Sequence, residues 1–232
     1  MRPRQAQGER VIVDYILSTY SYMKINTSSL KNWLSQAFKI FFTVYLAILI
    51  PIYTKHYGLQ NFLWLSDIGL FLTYLGIIVQ SPLLISMVVI GVLPLEIFWN
   101  VDFFGQLIFN LNISDLADYM FDPSYPEYLR GLSLFHVVLP IVCIICLVNW
   151  GYDKRAFKYF TLLYWLDLFL IYTFADPNGE SINWVFEPYK YHWEWVDPTM
   201  WVLILAIVFP LCIFLPMHLV IQRLFKDATQ KS

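Results

Sequence analysis

The sequence carries little charge. Of its 232 residues, 14% are charged, whereas a soluble globular domain has about 25% charged residues. Hydrophobic residues make up 59% of the chain and aromatic residues 19%. This composition excludes an ordinary soluble domain and indicates a protein that lies in a membrane.

The sequence also lacks a block of basic residues. Its formal net charge is -2, and no stretch combines arginine with aromatic residues in the pattern that follows a phosphate backbone. We therefore expect no nucleic-acid partner. Membrane lipids are the expected partners, and the sequence sets no oligomeric state.

Cysteine is scarce, with three in the chain. Cys143 and Cys146 have C-x-x-C spacing, but they lie inside the apolar run PIVCIICLV and not before a helix of a soluble α/β fold. Thiols buried in apolar surroundings are unreactive. We interpret both residues, together with Cys212, as small core residues.

The beginning of the chain has no apolar h-region and no small-residue cleavage site, so we expect no cleaved signal peptide. The stretch VIVDYILSTYSYM, at 11–23, is too short and too polar to cross a bilayer. We expect it to lie along the membrane interface as an amphipathic helix.

Long apolar runs dominate the rest of the chain. A membrane span needs about 20 mainly apolar residues, and in hydrocarbon each span must be helical so that its backbone groups are satisfied. The sequence therefore predicts an all-α, polytopic membrane helical bundle of about six transmembrane helices. They are placed at 37–54, 61–80, 82–101, 130–149, 157–175 and 199–221, within a domain 36–222 between an N-terminal segment 1–35 and a tail 223–232.

The distribution of charge predicts the orientation. Lysine and arginine near span ends are retained in the cytoplasm, and they cluster in the N-terminal segment, in 150–158 and in the tail. The loops 102–129 and 176–198 are acidic and rich in aromatic residues. We expect these two loops outside and both termini in the cytoplasm.

Polar residues interrupt the predicted spans at similar depth. Ser66 and Asp67 fall about 9 Å below the outer end of the second span, at 1.5 Å rise per residue. Glu96 and Asn100, at i and i+4, are expected in the last two turns of the third span. Ser133 and His136 share a face of the fourth span, at i and i+3.

Asp167 lies nearer the middle of the fifth span. A charged group at a helix centre costs about 2.5–3.5 kcal/mol, so these groups should face one another or a wet cavity. A single such residue has an equally good structural interpretation, since Asp67 could bond a neighbouring helix and Asn100 could cap its own. The whole set predicts a polar pocket near the outer surface.

Two kinds of chemistry fit this pocket. In the first, Ser66 is the nucleophile, Asp67 and Glu96 are charge partners and His136 is the base. In the second, Asp67, Glu96 and His136 hold a metal such as zinc with an open position, although no H-E-x-x-H motif is present. The identity of any cofactor or bound metal stays open. The expected substrate contacts are Asn100, Asp167, Asn183 and Trp184.

Six motifs resemble a family of uncharacterised bacterial multi-span membrane proteins, over nearly the whole chain after the first span. They are WLSDIGLF, LPLEIFWNVDFF, DYMFD, LRGLSLFHVVLP, GYDKRA and INWVFEP. The resemblance implies a multi-pass protein of the bacterial cytoplasmic membrane and brings no activity with it.

Two further families are similar in the order of a few residues. A nucleophile-type residue on an early helix, then proline and glutamate, then Phe-His is similar to the androgen-induced fatty-acid-ester hydrolases and related transmembrane acyltransferases. That likeness implies Ser66 as nucleophile, where those proteins have Thr or Cys, and His136 as base. The Glu96-x-x-x-Asn100 spacing is similar to the alkaline-ceramidase-like metal hydrolases, whose late H-x-x-x-H pair is absent here.

The sequence thus favours an integral membrane enzyme, a hydrolase or acyltransferase that acts on a lipid or acyl chain through an outer-leaflet polar pocket. The alternative is a membrane transporter, or a protein that binds a lipid or small ligand, using the same pocket. A purely structural role for the polar residues is a third possibility.

Overall fold

The structure, a computed structural model, describes residues 28–177, 179, 181–187 and 196–229. The predicted interfacial helix at 11–23 lies outside these residues, and so does His192, which belongs to the predicted loop 176–198. The N-terminal segment 1–35 is described only from its last residues onward.

The described part of the chain is helical and contains no strand, which confirms the all-α prediction. A short π-helix, Pro210–Phe214, joins the last two α-helices of the chain. Short 3₁₀ helices lie at Leu59–Leu63, Asp118–Met120 and Ile182–Trp184. The α-helices are α1 (Ser28–Tyr57), α2 (Leu65–Val79), α3 (Pro82–Gly91), α4 (Leu93–Phe109), α5 (Glu127–Ser133), α6 (Phe135–Trp150), α7 (Ala156–Phe174), α8 (Pro198–Phe209) and α9 (Leu215–Thr229).

Three helical segments are long and apolar enough to cross a membrane: Gln36–Tyr57, Glu127–Trp150 and Pro198–Phe225. The number becomes four if α3 and α4, which are bent by 51° at Val92, form one span. α2 is apolar but has 15 residues, fewer than the roughly 20 that a span needs. Of the predicted six spans, the described residues therefore provide three to four helices that are long and apolar enough to cross a membrane.

The outer surface of these helices is apolar. Ile40, Ile108, Phe109 and Phe174 each expose more than 60% of their surface, although burial of such side chains away from water is favourable. Cys143 and Cys146 are buried as expected, whereas Cys212 is exposed and does not belong to the core. An apolar exterior of this kind suits contact with lipid.

The bend between α3 and α4 corrects the predicted third span. Pro94 has no backbone N–H and so cannot continue the hydrogen bonds of α3, and α4 starts again at Leu93. α4 then continues to Phe109, so the predicted span end at 101 and loop start at 102 are wrong. As a result Glu96 lies in the first turn of α4, beside the bend, and not in the last two turns of a span.

The two ends of the bundle differ in charge. The loop 110–126 between α4 and α5, here the first acidic loop, lies at one end. The described residues of the segment 175–197 between α7 and α8, here the second acidic loop, lie at the same end. α6 leads away from that end and α7 returns to it. At the other end Lys154 and Arg155 precede α7, and Tyr152 bonds His218 Nδ1 at 2.6 Å. His218 thus lies far from the acidic loops.

Candidate functional site

A cavity of about 480 Å³ lies at the acidic end of the bundle. Its wall includes residues of α1, α2, α4 and α6 and of both acidic loops. Six of the predicted site residues lie on this wall: Ser66, Asp67, Glu96, His136, Asn183 and Trp184. The expected meeting of polar groups from separate helices is therefore present, while Asn100 and Asp167 do not line the cavity.

The centre of the site is a pair formed by Glu96 and His136. Glu96 Oε2 lies 2.8 Å from His136 Nδ1, which is a short, charge-assisted distance when the ring is protonated. The Glu96 side chain is 2% exposed and that of His136 13%. The first turn of α4 and the first turn of α6 supply the two groups, so the bend at Val92 is what brings the carboxylate to the imidazole.

Aromatic rings hold the imidazole in place. The His136 ring stacks on Trp99, with 4.5 Å between ring centroids, and on Phe135, with 4.1 Å. The second ring nitrogen, Nε2, has no hydrogen bond to any residue that the structure describes. A histidine fixed through Nδ1 and free at Nε2 can exchange a proton with a molecule in the cavity.

Asn100 has a different role from the expected substrate contact. Its Nδ2 donates to the backbone carbonyl of Glu96 at 2.8 Å and to that of His136 at 2.6 Å. One bond is made within α4, and the other joins α4 to α6. Asn100 therefore positions the helices that carry the pair, and it does not line the cavity.

Asp67 is buried, with 3% of its surface exposed. Its Oδ2 accepts a hydrogen bond of 3.3 Å from Asn61 Nδ2. Its Oδ1 has no hydrogen-bond partner among the described residues. Because a buried carboxylate oxygen without a partner is costly, Asp67 is an incompletely satisfied polar group of the cavity wall.

Two serines lie on the wall near the pair. Ser66 is half-buried beside Asp67 and makes no hydrogen bond to His136 in this structure. Ser133 bonds the Tyr53 hydroxyl at 3.1 Å and donates to the Leu129 carbonyl at 3.2 Å. The face that Ser133 was expected to share with His136 is interrupted, because α5 ends at Ser133 and α6 begins at Phe135. Ser66 as nucleophile stays a prediction.

Asn183 connects the second acidic loop to the helices. It has a left-handed backbone conformation, with φ 49°. Its Oδ1 accepts from the Leu65 N–H at 3.1 Å, and its Nδ2 donates to the Leu63 carbonyl at 2.8 Å and to Asp167 Oδ2 at 2.9 Å. These bonds explain why Asp167 is not on the wall, since it serves as the α7 anchor for Asn183.

Asp102 is a functional residue that sequence reasoning missed, because it was assigned to the outer loop. Its side chain lies on α4, fully buried, and accepts hydrogen bonds from the N–H groups of Ile113, Ser114 and Ala117 at 2.8–3.0 Å. These three bonds fold the first acidic loop back over the cavity. The signal in the sequence was a lone carboxylate at the end of an apolar run.

The first acidic loop brings further carboxylates to the cavity. Asp115, Asp118 and Asp122 line it together with Tyr119. A hydrogen bond from the Ser124 backbone N–H holds the pKa of Asp122 below its usual range, so Asp122 is ionised at neutral pH. Burial raises the pKa of Tyr119, so its hydroxyl stays protonated.

No preformed metal site is present in the described part of the chain. No three His, Cys, Asp or Glu side chains there are close enough together to act as metal ligands. The metal alternative requires Asp67, Glu96 and His136 to converge on one point. Glu96 and His136 contact each other, but Asp67 has its one hydrogen bond with Asn61.

No family model, curated protein or solved structure matches the chain. The resemblances drawn from short motifs therefore remain expectations, and the function has to be inferred from the cavity itself.

Proposed function

We propose that the protein is a membrane-embedded hydrolase or acyltransferase that acts on a lipid or acyl chain in the cavity. The observation that supports this most strongly is the Glu96–His136 pair, which is buried on the cavity wall and leaves His136 Nε2 unbonded among the described residues. A carboxylate on Nδ1 and an unbonded Nε2 form the base half of a catalytic triad.

Each residue then has a defined role. Glu96 keeps the proton of the neutral ring on Nδ1, so that Nε2 accepts the proton of the Ser66 hydroxyl as its oxygen attacks the acyl carbonyl. The leaving alcohol takes that proton, and an acyl ester remains on Ser66. Water then releases a fatty acid, or a second hydroxyl accepts the acyl group, with His136 again as base.

We also propose six crossings, with both termini in the cytoplasm and the cavity toward the outer leaflet. α2 and the preceding 3₁₀ helix together cover 59–79, and α7 has 19 residues, so each is close to the length of a span. The acidic loops meet at the cavity, and Lys154 and Arg155 lie at the other end. Retention of positive charge in the cytoplasm then orients the bundle.

Cysteine accessibility tests this orientation. Ser124→Cys and Lys154→Cys place single thiols on exposed positions at the acidic and basic ends, on a Cys212→Ser background because Cys212 is exposed. A membrane-impermeant maleimide added to intact cells should label only the Ser124→Cys protein. Labelling of Lys154→Cys alone would reverse the orientation.

Labelling with a serine-reactive fluorophosphonate tests the enzymatic proposal. Purified wild-type protein should be labelled, and Ser66→Ala should not. Ser124→Ala is the matched control, because Ser124 is exposed and does not line the cavity, and it should be labelled as the wild type is. Equal labelling of Ser66→Ala and wild type, or no labelling of either, would contradict the nucleophile assignment.

A transporter or binding protein is the second candidate, and one observation favours it. Ser66 has no hydrogen bond to His136, so the nucleophile is not activated in this state. Such a protein should move or bind its ligand in proteoliposomes without covalent change. It should lose that property in Asp67→Asn and show no fluorophosphonate labelling.

A further inference from the structure

We infer that the cavity binds an organic ammonium group, carried either by a small amine or by a lipid headgroup. The inference rests on the proposed function in taking the cavity as the substrate site, and it specifies the class of substrate. Charge and the nature of the wall support it independently.

The charge of the wall calls for a cation. Among the described residues that line the cavity there are five carboxylates and no lysine or arginine. Glu96 is paired with His136, but Asp67 has an oxygen without a partner at 3% exposure. An ionised carboxylate is costly to bury unless a cation or hydrogen-bond donors meet it. A cation in the cavity would balance the negative charge of the wall.

The rest of the wall selects the kind of cation. Aromatic rings make up much of it, including Tyr53, Trp64, Trp99, Tyr125 and Trp184. The faces of such rings attract ammonium groups, and cages of this type recognise quaternary ammonium ligands. A metal ion instead needs several ligand atoms at short distance, and the described residues provide no such cluster.

The size of the cavity agrees with an organic cation. Pockets for small ligands have volumes of about 300–1,000 Å³, and this cavity has about 480 Å³. An ammonium group fills a small part of that space. The remaining volume is sufficient for the atoms that carry the group, whether they belong to a small amine or to the headgroup region of a lipid.

Choline and its uncharged isostere 3,3-dimethyl-1-butanol provide the test, because they share a shape and differ in charge. Binding of both is measured by calorimetry on the full chain in phosphatidylglycerol nanodiscs, with empty nanodiscs subtracted. Choline should bind at least about tenfold more tightly than the isostere, in keeping with a desolvated cation–π site. Asp67→Asn should remove this preference. Asp176→Asn, at an exposed carboxylate outside the cavity, should keep it.

Nanodiscs of phosphatidylcholine distinguish the two sources of the ammonium group. Weaker choline binding there assigns the site to a lipid headgroup, and equal binding assigns it to a free amine; both results support the inference. Equal affinity for choline and isostere, absence of choline binding, or an unchanged preference in folded Asp67→Asn would overturn it. If Asp67→Asn does not fold, the comparison of the two probes on wild type decides.

Fluorophosphonate labelling is recorded on the same preparations, so that the two proposals can fail separately. A charge preference without labelling refutes the enzyme and keeps the ammonium site. Labelling without a charge preference refutes the ammonium site and keeps the enzyme.

Discussion

Replacement of Glu96 by glutamine tests how the imidazole is positioned. The substitution keeps the shape of the side chain but removes the charge that faces His136 Nδ1 at 2.8 Å. A glutamine that turns its amide N–H toward Nδ1 also fixes the ring with its proton on Nε2. In that tautomer the ring cannot accept a proton from the Ser66 hydroxyl.

The size of the effect follows from these two changes. A hydrogen bond to a charged group is worth about 1.5–3 kcal/mol and a neutral one about 0.5–1.5 kcal/mol. Loss of the charge alone, a difference of about 1–1.5 kcal/mol, therefore predicts labelling about 5- to 13-fold slower. The wrong tautomer in a catalytic triad lowers the rate by about 10⁴-fold. Because Trp99 and Phe135 still hold the ring plane, we expect Glu96→Gln to fall between these limits.

The assay is the rate of fluorophosphonate labelling of the purified protein. Glu127→Gln is the matched control, since Glu127 is an exposed residue at the start of α5, and it should be labelled at the wild-type rate. Residues that act as a unit give non-additive losses, so Glu96→Gln should slow His136→Ala no further. Wild-type labelling of a folded Glu96→Gln protein would refute the proposed positioning role.

Three further predictions concern the frame around the cavity. Asn100→Ala removes one hydrogen bond between α4 and α6 and one within α4 and should lower stability by about 1–3 kcal/mol, seen as a lower unfolding temperature in detergent than for wild type. Asp102→Asn lacks the charge that holds three backbone N–H groups, so limited proteolysis should cut the first acidic loop faster; an unchanged rate would contradict this anchor. Gly91→Ala should destabilise the folded protein by about 1–3 kcal/mol through overpacking, because the added Cβ would overlap the Phe160 ring. Gly131→Ala should be tolerated, because there is open space around Gly131.

The sequence was sufficient to predict that polar groups from separate helices would meet. The cost of leaving Asp67, Glu96 and His136 in hydrocarbon predicted one shared pocket, and the cavity wall contains all three. The predicted depth of Glu96 in its span was wrong, because Glu96 lies in the first turn of α4. The convergence of these groups can therefore be predicted without a structure.

The direction in which a side chain points could not be predicted in the same way. Asn100 and Asp167 have the right residue type, but the packing of α4 on α6 and the position of Asn183 turn them away from the cavity. The bend at Val92 was also missed, because the run 82–101 was predicted as one span across Pro94. Because the third span was predicted to end at 101, Asp102 was assigned to the loop and its role on α4 was not recognised.

The predicted number of membrane crossings depends on the lengths of the shorter helices. α2 has 15 residues, and whether it and its 3₁₀ extension cross a bilayer depends on the thickness of the membrane around them and on flanking residues. The thickness of the membrane is not encoded in the chain.

The rate of fluorophosphonate labelling of His136→Ala, compared with His56→Ala, tests the central claim most directly. His56 is exposed, bonds the Tyr128 hydroxyl at 2.7 Å and lies outside the cavity wall. We predict that His136→Ala, folded as judged by size-exclusion chromatography, loses labelling while His56→Ala keeps the wild-type rate. Equal labelling of the two variants would contradict the account.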